Sequence, residues 1–342
     1  MDDIESVTSE CCGSGCTNCV LDQRSKKQTA LDNFDGPNVL SGGRYHQFRC
    51  TRIEPITTNT YLFRFHLITN DAAEDAKLLI PPGSHLMLRA ERSWREASRP
   101  LNSVFSKWCN EALQTGAHRS RADRRARPLV EKHDKTERDL YFSRPYTPIS
   151  VNQTERTFDV LIKLEVDGEM SEYLVTLNIG DVAEWKGVYT GFYWTRNMCS
   201  HLVGFVQGVG IAPVYSIMKN ILQDEEDYTK LCLCSCFSDI SGITLRSDLY
   251  TMTGFWNFES TIYLSREPCK CGDRRSCSCL SSRKKYNERI FNHRLETIDI
   301  ENLLQKYASS SVQVLICGTD VFVAFIECCI SKINVSYNCY KF

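Results

Sequence analysis

The hydrophobic pattern changes once along this chain, near residue 197, and that change limits the folds it can adopt. Between about residues 45 and 196 the apolar runs are short, rich in aromatic and β-branched residues and separated by polar turns, which is typical of antiparallel strands. Beyond residue 197, strand-like and helix-like runs alternate, and alternation of this kind predicts a parallel sheet with right-handed crossovers. We therefore predict two domains, an all-β barrel followed by an α/β domain.

Individual runs give the expected elements of each domain. In the first domain, strands are predicted in YHQFRCTRIEPI, NTYLFRFHLI, HLMLRA and FDVLIKLEV, with two short ones in VAEWKGVYTGFYW. In the second, buried strands are predicted in HLVGFVQ, LCLCSCF, STIYLS and VQVLICG, and helices in IAPVYSIMKNILQD, IDIENLLQKYA and DVFVAFIECCISKI. We place a cysteine-containing leader at residues 1–42, the barrel at 43–196 and the α/β domain at 197–342.

Residues 91–140 interrupt the strand pattern of the barrel. This stretch is much longer than an ordinary loop of about 4–6 residues, and it contains the basic run RSRADRRARP. We expect a disordered surface insertion, or an error in the assigned coding sequence. The basic run is interpreted as solvated, and a patch for nucleic acid or an acidic partner is the alternative.

Length and charge exclude several classes of protein. A chain of 342 residues accommodates two domains of about 150 residues each, and its formal net charge of -1 gives no overall attraction to nucleic acid or membrane surfaces. Apolar runs stay well short of the roughly 18 residues that span a bilayer. The acidic start MDDIESVTSE lacks the pattern of a signal peptide. We expect a soluble, intracellular, cytoplasmic protein without a membrane span or a nucleic-acid partner.

Eighteen cysteines are present, and without a secretory signal they are expected to be reduced. Two groups stand apart, in CCGSGCTNC at residues 11–19 and in CKCGDRRSCSC at residues 269–279. The paired CxC spacing of the second group could supply four thiolates to zinc, with a loop of free thiols as the alternative. The first group is more loosely spaced, and zinc binding and a loop of free thiols are both compatible with it as well. The sequence therefore assigns no metal ligand.

The segment YFSRPYTPIS combines stiffness with chemically distinct side chains. Pro145 and Pro148 each fix their own φ, hold the preceding residue extended and lack a donor N–H, which suits the edge of a sheet. Alternation places Arg144 and Tyr146 on one side and Thr147 on the other. A cation, a flat ring and a hydroxyl in one short segment fit a ligand that has phosphates and an aromatic system.

The turn GVGIAP follows a predicted buried strand and opens a predicted helix. Gly208 and Gly210 would let a phosphate or ribose approach the backbone, and the free amides at the start of the helix attract anions. The full GxGxxG spacing is missing because Pro213 stands where the third glycine would be. A tight structural turn is therefore equally compatible with this motif.

A second glycine-containing turn lies in LEVDGEMSEYLVTL. Gly168 allows tight backbone geometry, and Ser171 is predicted to cap a short helix whose first amides could hold phosphate. A plain strand-to-helix cap is the alternative. Lys163, on the preceding strand, could add a cation there or simply be solvated.

Taken in order, the motifs RPYTPIS, IK with DGEMSEYL, GVYTGF, GVGIAPV, LICG and the ending NCYKF resemble the NADH-cytochrome b5 reductases of the ferredoxin-NADP reductase superfamily. Order and spacing match across about residues 43–90 and 140–342. The leader CCGSGCTNCVLD is similar to the short oxidoreductase-like N-terminal segment of a subgroup, the cytochrome b5 reductase-like proteins. This resemblance implies a flavin-binding antiparallel β-barrel followed by a nicotinamide-binding α/β domain with a parallel sheet.

The resemblance also implies roles for single residues. Arg144 would pair with the FAD pyrophosphate, Tyr146 would pack against the flavin, and Thr147 would hydrogen-bond near its reactive nitrogen. The FAD site would be completed by Pro145, Lys163, Gly168, Met170 and Ser171. The NADH site would be formed by Gly208, Gly210, Pro213, Cys317 and Gly318, with Phe342 as the aromatic residue that closes the cofactor region.

The activity implied by the resemblance is that of an NADH-dependent flavin oxidoreductase. NADH would give a hydride to the flavin, and single electrons would pass to a haem protein such as cytochrome b5 or to a similar acceptor. Thr147 and Cys317 would lie closest to the reacting rings, with Cys317 as an alignment residue rather than a covalent catalyst. The alternatives are a flavoprotein without turnover that acts as a binding or scaffold protein, and a metal-binding protein that uses the cysteine groups.

Four positions depart from the family pattern. Val209 replaces the usual threonine of the glycine turn, which removes a hydroxyl contact, and Ala212 and Thr319 replace a usual hydroxyl and proline. Glu169 stands where reductases of cytochrome b5 often have lysine, and because cytochrome b5 presents an acidic face, this change should lower the rate of association. The preference for NADH over NADPH rests on the resemblance, since no arginine cluster for a 2′-phosphate is identified.

Overall fold

The computed structural model describes two compact units, Met1–Gly191 and Phe192–Phe342. The residues described are 38–40, 43–68, 77–95, 100–114, 140–271, 273–333, 335 and 337–342. The cysteine group CCGSGCTNC and the basic run RSRADRRARP lie outside them. The domain boundaries predicted above, at 42/43 and 196/197, therefore remain predictions. In the chain, the first unit ends at Gly191 and the second begins at Phe192, a few residues before the predicted boundary at 196/197.

The first unit is built on one seven-stranded sheet in which every pairing is antiparallel. Its strands are β1 (Tyr45–Pro55), β2 (Thr60–Leu67), β3 (His85–Glu91), β4 (Tyr141–Tyr146), β5 (Pro148–Asn152), β6 (Thr157–Lys163) and β7 (Val182–Tyr189). Two helices accompany them, α1 (Ser106–Gln114) and α2 (Glu169–Leu174). VAEWKGVYTGFYW forms one strand, β7, instead of the two that were predicted.

The order of the strands shows that this sheet curls into a barrel. The order is β4-β3-β7-β1-β2-β6-β5, so β4 and β5 form the two edges. Thr147 alone separates these edge strands in the chain, and one residue spans only about 3.5 Å. The two edges must therefore lie together, as in a barrel. The last strand, β7, occupies the middle of the sheet between β3 and β1.

Aromatic side chains fill the barrel. The rings of Phe48, Phe158 and Trp185 are fully or almost fully buried, with ring centroids 5.1 Å apart for Phe48 and Phe158 and 5.1 Å apart for Phe158 and Trp185. They come from β1, β6 and β7, and each strand contributes alternate residues to the interior because successive side chains point to opposite faces. The alternation seen in the sequence therefore follows from one shared core.

The beginning of the predicted insertion is part of this core. A 3-10 turn at Ser103–Phe105 is capped by the Asn102 side chain, which accepts a hydrogen bond from the Val104 amide at 3.0 Å. It leads into α1 and buries Phe105 completely, with the ring 4.6 Å from that of Tyr61. The prediction of a disordered insertion is therefore wrong for residues 100–114, where apolar side chains are spaced for a short helix and not for strands. Residues 115–139 lie outside the described part.

The second unit contains a six-stranded sheet, all of it parallel. Its strands are β8 (His201–Gln207), β9 (Lys230–Phe237), β10 (Phe258–Leu264), β11 (Arg289–Phe291), β12 (Val312–Cys317) and β13 (Asn338–Lys341). The helices are α3 (Ile211–Leu222), α4 (Arg246–Met252), α5 (Thr297–Gln305) and α6 (Asp320–Ser331). Two short strands, β11 and β13, and α4 were not predicted, because three to seven residues give too little periodicity.

The strand order of the second unit, β11-β10-β9-β8-β12-β13, reverses direction at β8. The chain builds outward from β8 to β9, β10 and β11, then returns to place β12 on the other side. In open α/β sheets a crevice forms at such a switch point, outside the carboxyl ends of the strands. Helix α3, predicted to be amphipathic, has ten of its twelve residues buried.

The predicted two-domain architecture, β followed by α/β, is thus confirmed. Within the part of the chain that the model describes, no helix combines the length and the apolar character needed to cross a membrane.

Candidate functional site

The predicted flavin-binding segment lies at the seam of the barrel. Arg144 and Tyr146 are on edge strand β4, and Pro148 begins edge strand β5. Each of these strands pairs on one side only, with β3 and β6 respectively. The prediction that the two prolines suit a sheet edge agrees with this placement, because a residue without an N–H leaves no broken ladder bond on an unpaired side.

Arg144 is half-buried and has no carboxylate partner among the described residues. Its guanidinium donates a hydrogen bond from Nη1 to the Ser143 carbonyl oxygen at 2.7 Å. Other arginines of the first unit, such as Arg64 and Arg89, form ion pairs with Asp159 and Glu184 respectively. A guanidinium presents five donors in a planar fork that suits phosphate oxygens. Arg144 therefore fits the pyrophosphate of a dinucleotide.

Tyr146 and Thr147 follow directly on the same segment. The Tyr146 ring packs edge-on against Trp185, with centroids 6.1 Å apart and planes at 69°, and burial raises the pKa of its phenol. The phenol is thus neutral throughout the physiological pH range and presents a flat, uncharged face. Thr147 is half-buried at the junction of β4 and β5, and Pro145 is exposed beside it.

The second glycine turn differs in detail from its prediction. Helix α2 begins after Gly168, which is its N-cap, and no side chain caps it. Ser171 lies inside the helix, and its Oγ accepts a hydrogen bond from the Glu165 amide at 2.9 Å. The prediction that Ser171 caps α2 is therefore wrong. Its hydroxyl instead holds the turn closed, and the backbone amides of the first helical turn remain as anion donors.

Gly168 is required for close approach and not for an unusual backbone angle. Its φ is -76°, and the left-handed residue of the turn is Asp167, with φ of 66°. A Cβ at position 168 would lie 3.0 Å from Ser171 Oγ and 3.2 Å from the Glu165 carbonyl oxygen. Met170 is buried at 4% exposure in the barrel core, so only its backbone is available to a ligand.

Charged side chains around this turn are paired with one another. Lys163 Nζ lies 2.6 Å from Glu165 Oε1, so the predicted phosphate-facing cation has a neighbouring carboxylate. Glu169, the departure from the family pattern, forms an ion pair with Arg92. Arg92 was missed by the sequence analysis because it lies at the start of the predicted insertion, with no motif around it.

The predicted nicotinamide-binding residues come together at the switch point of the second unit. The turn Gly208–Gly210 follows β8. Cys317 is the last residue of β12, and Gly318 follows it. Strands β8 and β12 are parallel neighbours, with Val206 opposite Cys317. Two motifs that lie far apart in the sequence therefore meet at the carboxyl ends of adjacent strands.

Backbone contacts are unusually close at this point. A Cβ at Gly210 would lie 2.9 Å from the Cys317 carbonyl oxygen and 3.2 Å from its Sγ, so no larger residue fits without displacing backbone. Gly208 adopts a left-handed φ of 56°, and no atom lies within 4 Å of its would-be Cβ. Gly208 therefore leaves open space, which suits the approach of a ligand to the backbone.

Hydrogen bonds link the ends of the same two strands. Thr319 Oγ1 donates to Gln207 Oε1 at 2.8 Å and also caps α6 by accepting from the Phe322 amide. Thr319 thus forms a side-chain bridge between the end of β8 and the start of α6. Gln207 was missed by the sequence analysis, although its signal was present as the polar residue that closes an otherwise apolar strand.

The chain terminus lies against the same strand. Phe342 donates its amide to the Ile316 carbonyl oxygen at 3.0 Å, and its ring packs edge-on against Tyr340 with centroids 5.0 Å apart. Burial raises the pKa of the Cys317 thiol to about 12. A thiol with such a pKa stays protonated and uncharged near neutral pH, which agrees with an alignment role and not with nucleophilic catalysis.

Comparison with known proteins relates this geometry to a family. Residues 133–194, which include the segment RPYTPIS and the turn at Gly168, match the model of the oxidoreductase FAD-binding domain. A curated mouse protein named NADH-cytochrome b5 reductase-like is 29% identical over 282 residues, which cover 77% of this chain and 73% of that protein. Over most of its length, the chain is thus similar in sequence to proteins named NADH-cytochrome b5 reductase-like.

Solved structures agree with this relationship at the level of fold. The CS-b5R domains of human Ncb5or, in their NAD⁺ form, superpose with a TM-score of 0.61 at 17% identity, covering 88% of this chain and 70% of that one. The cytochrome b5 reductase domain of Ulva prolifera nitrate reductase gives 0.59 at 17% identity, covering 90% and 100%. These solved structures share the two-domain fold of this chain, and the match to the oxidoreductase FAD-binding domain supports the predicted cofactors, FAD and NADH.

Proposed function

We propose that this reductase-like chain oxidises NADH through a bound FAD and passes the electrons singly to a haem protein of the cytochrome b5 kind or to a similar acceptor. The observation that supports this most directly is the meeting of Gly208–Gly210 with Cys317 at the switch point of a parallel sheet. Dinucleotides bind at the switch point of such sheets, and Gly208 leaves the backbone open there because no atom lies within 4 Å of its would-be Cβ.

The residues of the first unit would bind and orient FAD. The Arg144 guanidinium would hold the pyrophosphate, together with the first-turn amides of α2. Tyr146 would present its flat face to the flavin or its ribityl chain, and Thr147 would donate or accept a hydrogen bond near the reactive nitrogen. When bound, the flavin supplies the redox chemistry, acceptance of a hydride and release of single electrons.

The residues of the second unit would bind and orient NADH. Gly208 leaves room at the backbone, Gly210 allows the turn to rest on Cys317, and Pro213 starts α3 with its φ already fixed. Cys317 and Gly318 would lie beside the nicotinamide, with Phe342 shielding it. None of these groups has to exchange a proton in the hydride step, so their contribution is position and exclusion of water.

An absorbance spectrum of the purified chain, followed by anaerobic addition of NADH, tests this proposal. A flavin band that bleaches on addition of NADH, and that ferricyanide restores, is the expected result. A flavin band that persists in NADH would point to the missing hydroxyl at Val209 and to a flavoprotein without turnover. Absence of flavin from protein refolded with excess FAD would refute the assignment of RPYTPIS.

The acceptor is tested by comparing cytochrome b5 with ferricyanide at several salt concentrations. Glu169, at the start of α2, is paired with Arg92. This pair therefore presents no net positive charge to an acidic haem protein. We expect turnover with cytochrome b5 to depend only weakly on ionic strength, because electrostatic steering requires an unbalanced field. A steep fall with salt would show that another basic surface guides the acceptor.

Replacement of Arg144 by alanine is expected to weaken FAD binding about tenfold, since loss of one charge-assisted contact costs roughly 1.5 kcal/mol. Titration of the apoprotein with FAD, followed by quenching of flavin fluorescence, measures this. The matched control is Arg52→Ala, because Arg52 is exposed on β1 and pairs with Glu54 outside the seam. Equal FAD affinity in both variants would exclude Arg144 from the site.

Replacement of Cys317 by alanine is expected to leave flavin reduction by NADH within about tenfold of the unchanged protein. The pH dependence of the rate should also be unchanged between about pH 6 and pH 9, because a thiol with a pKa of about 12 does not ionise there. Rapid-mixing measurements across this range provide the test. An ionisation near neutral pH that disappears in Cys317→Ala would assign a chemical role to the thiolate.

A further inference from the structure

Four cysteine side chains converge in the loop between β10 and β11, in a cluster that the proposed function does not use. The cluster consists of Cys269, Cys271, Cys277 and Cys279, and all four Sγ atoms lie within 4.8 Å of one another. Close pairs are Cys269 with Cys277 at 3.1 Å and Cys271 with Cys279 at 3.4 Å. In a tetrahedral zinc site with Zn–S bonds of about 2.3 Å, the sulfurs are about 3.8 Å apart.

The two CxC halves of the cluster have the same local geometry. The Cys271 amide donates to Cys269 Sγ at 3.4 Å, and the Cys279 amide donates to Cys277 Sγ at 3.4 Å. In each half the second residue therefore turns its N–H toward the sulfur of the first. Such donors stabilise thiolates, and outer hydrogen bonds of this kind orient the ligands of a metal.

A buried polar residue from outside the loop supports the cluster. Asn292, only 3% exposed, donates from Nδ2 to Cys277 Sγ at 3.3 Å. Its Oδ1 and its carbonyl oxygen both accept hydrogen bonds from Arg274, at 2.8 and 2.9 Å. Arg274 also donates to the Glu267 carbonyl oxygen at 3.0 Å. Arg274 thus links residues before and after the cysteine cluster, Glu267 and Asn292, and these hydrogen bonds fix the backbone that positions the four sulfurs.

We propose that Cys269, Cys271, Cys277 and Cys279 bind one zinc ion as a structural Cys₄ site. Four thiolates saturate a tetrahedral ion and leave no open position for a substrate, which distinguishes a structural site from a catalytic one. Sulfur ligands in tetrahedral geometry select zinc or iron over hard cations. The sequence left free thiols as the alternative, and the shared sulfur centre with its outer donors favours the metal.

The charge balance of the loop agrees with a metal-thiolate centre. Binding releases the four thiol protons and leaves a net charge of about -2 on the zinc and its four sulfurs. The intervening sequence KCGDRRS supplies three cations, Lys270, Arg274 and Arg275, and one carboxylate, Asp273. Arg275 is already paired with Glu296 and Asp299, so Lys270 and Arg274 remain against Asp273. The remaining small excess of positive charge complements an anionic zinc–thiolate group.

Metal analysis of the full-length chain tests the proposal. To remove any contribution from CCGSGCTNC, the starting protein has Cys11, Cys12, Cys16 and Cys19 replaced by serine, and it is purified under reducing, anaerobic conditions with zinc present. Mass spectrometry of the metals is expected to find about one zinc per chain. Further replacement with Cys277→Ser and Cys279→Ser should lower this to less than about a tenth.

Controls make each outcome decisive. Cys328→Ser with Cys339→Ser removes two exposed cysteines of the same unit outside the cluster and should leave zinc unchanged. Because the cluster variant could fail to fold, the starting protein is also loaded with Co²⁺, which should give the absorption of tetrahedral cobalt thiolate in the red, beyond the flavin bands. Absence of metal, iron in place of zinc, two disulfides within the cluster, or zinc retained without Cys277 and Cys279 would each overturn the proposal.

Discussion

Replacement of Gly210 by alanine is expected to slow flavin reduction by NADH about 100-fold while leaving the FAD content unchanged. The added methyl group would lie 2.9 Å from the Cys317 carbonyl oxygen and 3.0 Å from its carbonyl carbon. Both are backbone atoms of β12, so the turn after β8 must move away from it. A displacement of about 1 Å at a hydride-transfer site can cost about 100-fold in rate.

A matched glycine in the same unit provides the control. At Gly242 an added Cβ would meet only Asp239 Oδ1 at an ordinary 3.8 Å, so Gly242→Ala should reduce flavin at the unchanged rate. Rapid-mixing absorbance under anaerobic conditions measures both variants, and the 280 nm to flavin absorbance ratio reports FAD content. If Gly210→Ala reacts as fast as Gly242→Ala, the contact with Cys317 does not shape the nicotinamide site.

Replacement of Phe105 by alanine is expected to lower the free energy of unfolding of the first unit by about 3–5 kcal/mol. The ring is fully buried and packs on Tyr61 at 4.6 Å and on Phe63 at 6.1 Å, so its removal leaves a cavity among aromatic side chains that cannot collapse easily. For a unit of this size the unfolding temperature should fall on the order of 10 °C. Thermal unfolding followed by flavin fluorescence measures the change.

Leu101 is the control for Phe105, since it lies in the same segment with 49% of its surface exposed. Leu101→Ala should change the free energy of unfolding by no more than about 0.5 kcal/mol. A loss of less than about 1 kcal/mol in Phe105→Ala would mean that the segment is dispensable, as the sequence pattern suggested. Deletion of residues 92–139 is accordingly expected to destabilise the barrel and not merely to shorten a loop.

The architecture was predictable because each half has one dominant periodicity. Buried strands such as HLVGFVQ and LCLCSCF are mostly apolar, as expected for strands covered on both faces. Several strands of the first half alternate because one face meets an aromatic core. Residues 100–114 were misjudged because their apolar residues, such as Phe105 and Trp108, have the spacing of a short helix within a segment interpreted as one long loop. Their burial depends on Asn102, whose amide and side chain bond to the carbonyls of Val175 and Leu177, a contact that local sequence cannot show.

The candidate site was predictable to the extent that its residues occur in motifs. Arg144, Tyr146 and Thr147 lie in the single short segment RPYT, and Gly208 and Gly210 lie between an apolar strand and a helix. The side-chain partners of these residues were not predictable in the same way. Arg92 pairs with Glu169, which is 77 positions away in the sequence, and Thr319 pairs with Gln207, which is 112 positions away. The role of Ser171 was misassigned for a related reason, because a serine near a helix start can bond forward as a cap or backward to the preceding loop.

The central position of β7 in the barrel has a consequence for synthesis of the chain. Before residues 182–189 leave the ribosome, β3 and β1 each lack a neighbour, and the barrel exists only as two partial sheets, β4-β3 and β1-β2-β6-β5. The pairing of Tyr45 with Lys186 also joins distant parts of the sequence, which slows folding. Nascent chains that end before β7 therefore expose two unpaired strand edges, and truncated or stalled products are the ones most prone to aggregate and to need chaperones.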